Sequence, residues 1–306
     1  MPYNRERALF IPKEMLRPNE IPAGLVFGKN IPEAWENLMC ALDECGAKIQ
    51  TQYDQEIDPK SKDASVTFVV ANPLSEPRIH KSIPTGLDEL WIYGQEIVNG
   101  LRDYKIVSKE EEQGWSYSYH DRLVNWPGTD ARTIGGVEIP NVDQLAALVD
   151  NLVQTPYTRR AQAITWNPLK DVKHHEPPCL QRIWGRLVDS DMGEMLLEMN
   201  THWRSNDVYK ATLMNTWGLT ELQKELARQI SERTGKRVVC GRYVAMIDSA
   251  HLYGSYERRG ELTDFFDALS KRSFAERTYR SDDPVVLEQF DFGRERLEKE
   301  LADLKK

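Results

Sequence analysis

Residues 176–207 read EPPCLQRIWGRLVDSDMGEMLLEMNTHWRSND. Two segments inside this stretch, 180–190 (LQRIWGRLVDS) and 194–203 (EMLLEMNTHW), read as strands, with no helix between them. Strand following strand breaks a strict βαβ alternation and points to an α+β fold around a sizeable sheet. Cys179 enters the first strand behind two prolines, which fix the backbone and hold the thiol at a defined point on the sheet's edge. Arg204-Ser205-Asn206-Asp207 are expected on the strand pair that follows Cys179.

Outward from there, residues 64–71 (ASVTFVVA), 160–166 (RAQAITW) and 237–247 (RVVCGRYVAMI) also read as strands. Apolar spacing predicts helices over 32–46, 87–101 and 143–154, the last ending before Pro156. A helix over 219–233 opens on a threonine with an acidic residue in its first turn, and 285–306 reads as a charged helix. No repeat, low-complexity tract or linker cuts the chain, so one domain over 1–306 is expected. Its ends are a divergent segment of about 1–30 and a charged helical tail of about 285–306 that finishes on Lys305-Lys306.

The chain has 306 residues, 40% apolar and 29% charged, the profile of a soluble globular protein. A net charge of −8 and a pI near 5.4 argue against a surface that coats a nucleic acid polymer. No run of about 18 apolar residues suggests a membrane span. The N-terminal residues lack the apolar core of a signal peptide. Cys40, Cys45, Cys179 and Cys240 form neither a disulfide framework nor a zinc spacing, which suits a reducing cytoplasm. His174-His175 are adjacent, so on a strand they would point to opposite faces, and no metal is assigned.

A lone cysteine usually packs as a small hydrophobe, and an Arg-Arg pair is usually solvated charge. Their combination is more informative. Arg159-Arg160 stand twenty residues before Cys179, and Arg204-Ser205 follow it. Guanidinium forks and a hydroxyl suit the oxygens of a phosphomonoester, and cations near a thiol favour its thiolate. One arrangement can anchor an anionic substrate and activate a nucleophile.

Over roughly residues 85–256 the chain resembles the thymidylate synthase superfamily. Arg159-Arg160 with Trp166-Asn167 is similar to the arginine pair that each subunit lends to the other's site. Pro177-Pro178-Cys179 resembles the nucleophile motif, and Arg204-Ser205-Asn206-Asp207 with Asn215 eight residues on resembles the R-S-x-D segment. D-S-A-H-L-Y at 248–253 resembles the family's H-x-Y pair, His251 and Tyr253.

The resemblance implies a large mixed sheet flanked by helices, in a homodimer that packs through the sheet. It implies that Cys179 attacks C6 of a pyrimidine nucleoside monophosphate, and that C5 takes a methylene from 5,10-methylenetetrahydrofolate. Arg204 and Ser205, with the partner's copies of Arg159 and Arg160, would hold the phosphate. His251 and Tyr253 would meet the sugar, Asn215 the base edge and Asp207 the folate. Glu89 would be the catalytic carboxylate, ten residues before Asn99, with Asp88 as its rival, and Tyr119 would stand near the nucleophile.

Four departures from the usual pattern stand out. Leu180 follows the nucleophile where His is usual, and Trp203 precedes R-S-x-D where Gln is usual. A tryptophan-rich stretch is replaced by KIVSKEEEQGWSYSY at 105–119, and the apolar C-terminal dipeptide gives way to a Lys-rich helix. These differences fit a site more open to water, whose product would be a 5-hydroxymethyl nucleotide, as in the pyrimidine nucleotide hydroxymethylases. The alternatives are a thymidylate synthase making dTMP from dUMP and a non-catalytic nucleotide-binding homologue. Cytosine and uracil, ribose and deoxyribose all stay open.

Overall fold

The structure, a computed structural model, describes residues 7–106, 114–129, 133–134 and 137–304. The expected Lys305-Lys306 end and residues 107–113 of the replaced 105–119 stretch lie outside the described residues. The chain begins with β1 (Ala8–Phe10), β2 (Ala23–Gly28), α1 (Ile31–Cys45), β3 (Ala47–Ile49), β4 (Ser61–Val70), β5 (Ile79–His80) and α2 (Leu87–Asn99). It continues through α3 (Tyr119–Val124), β6 (Thr133–Ile134), β7 (Val137–Glu138), α4 (Gln144–Gln154), β8 (Gln162–Ile164) and α5 (Pro168–Asp171). Then come β9 (Leu180–Asp189), β10 (Met195–Trp203), β11 (Asn206–Asp207), α6 (Thr212–Thr234) and β12 (Val238–Leu252). The last elements are α7 (Gly254–Arg258), α8 (Glu261–Lys271), α9 (Phe274–Arg277), β13 (Thr278–Tyr279) and α10 (Pro284–Asp303).

Among the described residues nine strands form one mixed sheet flanked by helices, the α+β architecture expected. The chain divides into two compact units. The first holds Met1–Ile92, Arg204–Trp217 and Val244–Lys306, and the second holds Tyr93–Trp203 and Gly218–Tyr243.

In the first unit the strand order is β1-β2-β4-β12, with β3 beside β4 and β11 beside β12. β2 and β4 are parallel, so a crossover must join them, and α1 supplies it. Asn30 caps that helix through the Glu33 N–H, and Pro32 occupies its first turn. Ile31, Ala34, Trp35, Leu38, Met39 and Leu42 make its buried stripe. Gly28 ends β2 because a Cβ there would lie 2.3 Å from the Ala34 nitrogen.

Against α1 sits a buried ionic group that sequence spacing does not reveal. Glu36 accepts from Arg277 at 2.8 and 2.9 Å and lies 3.0 Å from His80 Nε2. Burial alone would raise the Glu36 pKa, but the bonds and charges of His80 and Arg277 win and hold it below the ordinary value. A depressed folded pKa means stabilisation that is complete above the unfolded value of 4.5 and lost as pH falls through the folded one. Glu36→Gln is therefore expected to cost about 3–5 kcal/mol at pH 7, because it strands Arg277. Urea midpoints should show that gap shrinking as the pH drops below 4.5; a gap that is constant with pH would contradict it.

In the second unit the order is β12-β10-β9-β8. β9 and β10 run antiparallel from Met195↔Asp189 to His202↔Arg182, then shift register so that Trp203 pairs with Leu180. Because β9 lies between β10 and β8, Cys179 stands at the end of an inner strand and not along an edge.

Other expectations shift too. The strand over 160–166 shrinks to Gln162–Ile164, and Asn167, just beyond the expected end, caps α5. β12 runs to Leu252. The helix expected from Thr220 begins at Thr212, and Thr220 is buried in its interior. Gly218 hides that continuity in the sequence; it is tolerated because Ile97 and Tyr93 occupy the space a side chain would need. His174-His175 follow α5 in irregular chain and not in a strand. His174 Nδ1 accepts from the Glu176 N–H at 2.9 Å.

Candidate active site

The second unit carries the candidate nucleophile. Leu180, the first residue of β9, is fully buried, which pins the half-buried Cys179 before it. The Gln181 amide donates to the Pro178 carbonyl at 2.7 Å and stiffens the same turn. Tyr119 opens α3 behind Ser118, whose side chain caps the Asp121 N–H. Its ring meets the fully buried Trp203 edge-on at 5.8 Å. Trp203 is fixed in turn by donating to Thr201 Oγ1 at 2.9 Å.

Burial, then the charges of Tyr117 and Cys179, push the Tyr119 phenol well above its ordinary pKa. Burial chiefly, with a contribution from Cys179, raises Tyr93 likewise. Both tyrosines thus keep their protons at neutral pH and can donate to a thiolate or to an anion forming beside it. Leu180, next to Cys179, pairs with Trp203 and so places Tyr119 at the same end of β9, and the charge of Cys179 also reaches Tyr93, which the sequence reading missed. Arg159 and Arg160 are exposed, and Trp184 Nε1 donates to the Arg159 carbonyl at 3.0 Å.

The first unit carries the other residues. Arg204-Ser205 form the bend between β10 and β11, not part of a strand. β11 lies parallel to β12 with Asp207 opposite His251. Asn206 is buried and its Oδ1 accepts from Asn215 Nδ2 at 3.2 Å, across the start of α6. Asp207, expected to face folate, accepts from the Tyr209 and Lys210 N–H groups at 3.1 and 2.9 Å and from the Tyr256 hydroxyl.

His251 is buried and packs on Tyr253 at 4.7 Å. Its Nδ1 lies 3.2 Å from the Ser249 carbonyl, which can only accept, so Nδ1 carries the proton. In the neutral ring Nε2 is then an acceptor, buried with no hydrogen-bond partner among the described residues. Ser249 Oγ donates to Asp63 at 2.6 Å, and burial raises the Asp63 pKa. A buried acceptor of this kind suits a ligand hydroxyl.

Asp88 and Glu89 share one partner. Arg296 of α10 reaches Asp88 at 2.7 Å and Glu89 at 2.5 Å. Gly293 permits this approach, since a Cβ there would lie 2.8 Å from the Asp88 carbonyl oxygen. Val286, Gly293 and Leu297 are buried, so the charged tail is a docked helix. Among the described residues no group of three or more His, Cys, Asp or Glu side chains could hold a metal. Among them, too, no helix is long and apolar enough to cross a membrane.

The α+β fold holds a half-buried cysteine just before an inner strand, with the rings of Tyr119 and Trp203 packed at the same end. The thymidylate synthase family model matches residues 87–291, and the chain belongs to that family. The "Putative thymidylate synthase" of Methanosarcina mazei is 26% identical over 211 residues, 69% of this chain and 83% of that protein. The protein of the same description from Methanopyrus kandleri is 34% identical over 119 residues, 39% of this chain and 49% of its own length. Among solved structures, thermostable thymidylate synthase A from Bacillus subtilis matches with a TM-score of 0.53 at 18% identity, covering 80% of this chain and 84% of that one.

Proposed function

We propose that this protein transfers a one-carbon unit to C5 of a pyrimidine nucleoside monophosphate through a Cys179–C6 adduct, and that the product is a 5-hydroxymethyl nucleotide. The observation that carries the reading is the placing of Cys179 near Tyr119: Leu180, next to the thiol, pairs with Trp203, on whose ring Tyr119 packs at 5.8 Å. Thiolate addition to C6 makes C5 nucleophilic, which splits one difficult substitution into two easier additions. Bound 5,10-methylenetetrahydrofolate would supply the methylene. The second unit has flat walls that suit a pterin, in a cavity of about 250 Å³ lined by Tyr93, Trp115, Tyr117 and Tyr119.

In this reading the chain acts as one functional domain. Arg204 and Ser205, with Arg159 and Arg160 of the partner subunit in a homodimer, hold the phosphate. His251 Nε2 accepts from a sugar hydroxyl beside Tyr253. Asn215 meets the base edge. Its amide and that of Asn206 can turn over together and keep one hydrogen bond, so either pyrimidine edge is readable. Asp207 orders the turn on which folate rests, and Glu89 is the carboxylate that relays protons at the base, held by Arg296.

Thymidylate synthesis shares every step up to the exocyclic methylene and differs in ending on hydride transfer. The names of the archaeal relatives favour that second reading. Incubating UMP, dUMP, CMP and dCMP with folate deuterated at C6 decides between them. We expect a product heavier by CH2O without deuterium. A 5-methyl product carrying deuterium would establish thymidylate synthesis instead.

A further inference from the structure

We infer that His120, oriented by Asp103, is the base that delivers water to the exocyclic methylene; the inference rests on the reaction proposed above. His120 lines the cavity of about 250 Å³ together with Tyr93 and Tyr119, and Tyr119 packs on Trp203, which pairs with Leu180 next to Cys179. Its Nδ1 lies 2.7 Å from Asp103 Oδ2, and the other Asp103 oxygen accepts from the Ser118 hydroxyl at 2.5 Å. The Ser118 oxygen is itself fixed by the Asp121 N–H at 2.9 Å. A carboxylate accepts, so Nδ1 holds a proton and Nε2 is the nitrogen that exchanges one.

The backbone makes room for this ring. Gly100 has φ +61, and a Cβ there would lie 2.2 Å from His120 Nδ1. Other groups on the cavity wall are poorer bases. Glu96 is paired with Arg102 at 3.0 Å, and the tyrosines Tyr93 and Tyr119 hold their protons. An imidazole held by a carboxylate is the arrangement that general-base catalysis uses to orient a proton acceptor.

The step balances within the residues and reactants named. Once folate has left, the water oxygen bonds to the methylene carbon and the π pair of that bond shifts into the pyrimidine ring. The water proton passes to His120 Nε2. The ring anion then reforms the C5–C6 double bond and expels the Cys179 thiolate.

The test uses the full-length protein, methylenetetrahydrofolate, and UMP, dUMP, CMP and dCMP tritiated at C5. In His120→Gln the first turnover should release one tritium per site at a rate within about threefold of the parent. Steady-state 5-hydroxymethyl product should then fall by about 100-fold or more. Intact-protein mass should show the nucleotide trapped on Cys179. Asp103→Asn should show the same stall more weakly, and imidazole should partly restore His120→Ala. If the glutamine variant fails to fold, Asp103→Asn and the imidazole rescue carry the test.

A first turnover slowed as much as the steady state would assign His120 a structural role and overturn the inference, as would unchanged product. Tritium release from none of the four nucleotides by the parent protein would overturn the proposed reaction itself, and this step with it.

Discussion

Cys179→Ser is expected to lower the release of the C5 proton by about 10³-fold or more, the scale seen when a covalent nucleophile is lost. A serine hydroxyl is a weak nucleophile without a base to activate it, whereas a thiol is intrinsically nucleophilic once ionised. The neighbouring phenols of Tyr93 and Tyr119 can donate to a thiolate; to a neutral serine hydroxyl they offer no comparable activation. Nucleotide affinity should change by no more than about threefold in equilibrium dialysis, because no phosphate or sugar group is assigned to the thiol. The same variant tests the proposed homodimer. Mixed with an Arg160→Ala subunit, it should regain activity at one site per heterodimer. Normal proton release in Cys179→Ser would remove it as the nucleophile, and failure of the two inactive parents to complement would argue against arginines shared between subunits.

What the sequence discloses is governed by the range of the forces involved. α1, α4, β9 and β10 were legible because their burial repeats every 3.6 or 2 residues, a local signal. Cys179 and Tyr119 were legible through motifs. The groups that orient the site were not, because their partners are distant in sequence. Ser249 meets Asp63 across 186 residues, and Glu36 meets Arg277 across 241. Arg296 joins Glu89 across 207, and the helix that carries it reads as charged because only Val286, Gly293 and Leu297 of it are buried. The two-residue strand β11 has no periodicity at all, yet its register sets Asp207 opposite His251. Gly218 stands just before the helix expected over 219–233 and Gly100 inside the one expected over 87–101, and only the structure shows what occupies the space beside each.

Asp171→Ala should be among the most destabilising single substitutions in the second unit, at about 3–5 kcal/mol. Arg122 and Asp171 are both fully buried in side chain and form a fork at 3.0 and 3.2 Å. Arg122 also donates to the Thr165 carbonyl, and Asp171 accepts from the Asn167 N–H at 2.7 Å. Removing the carboxylate leaves a guanidinium in a low-dielectric interior with its desolvation uncompensated, and that penalty exceeds the worth of the pair itself. Replacing both residues, Arg122→Met with Asp171→Leu, should therefore recover much of the loss, because no charge is stranded. The consequence for chemistry is separate from that for stability. α3 carries Tyr119 and His120 as well as Arg122, so the pair fixes where both stand relative to Cys179. Methionine and leucine can refill the volume without reproducing the fork's geometry. The double variant should then melt near the parent in urea while releasing the C5 proton about tenfold or more slowly, as small misplacements of reacting groups do. A double variant as unstable as Asp171→Ala would show that the loss comes from packing and not from a stranded charge.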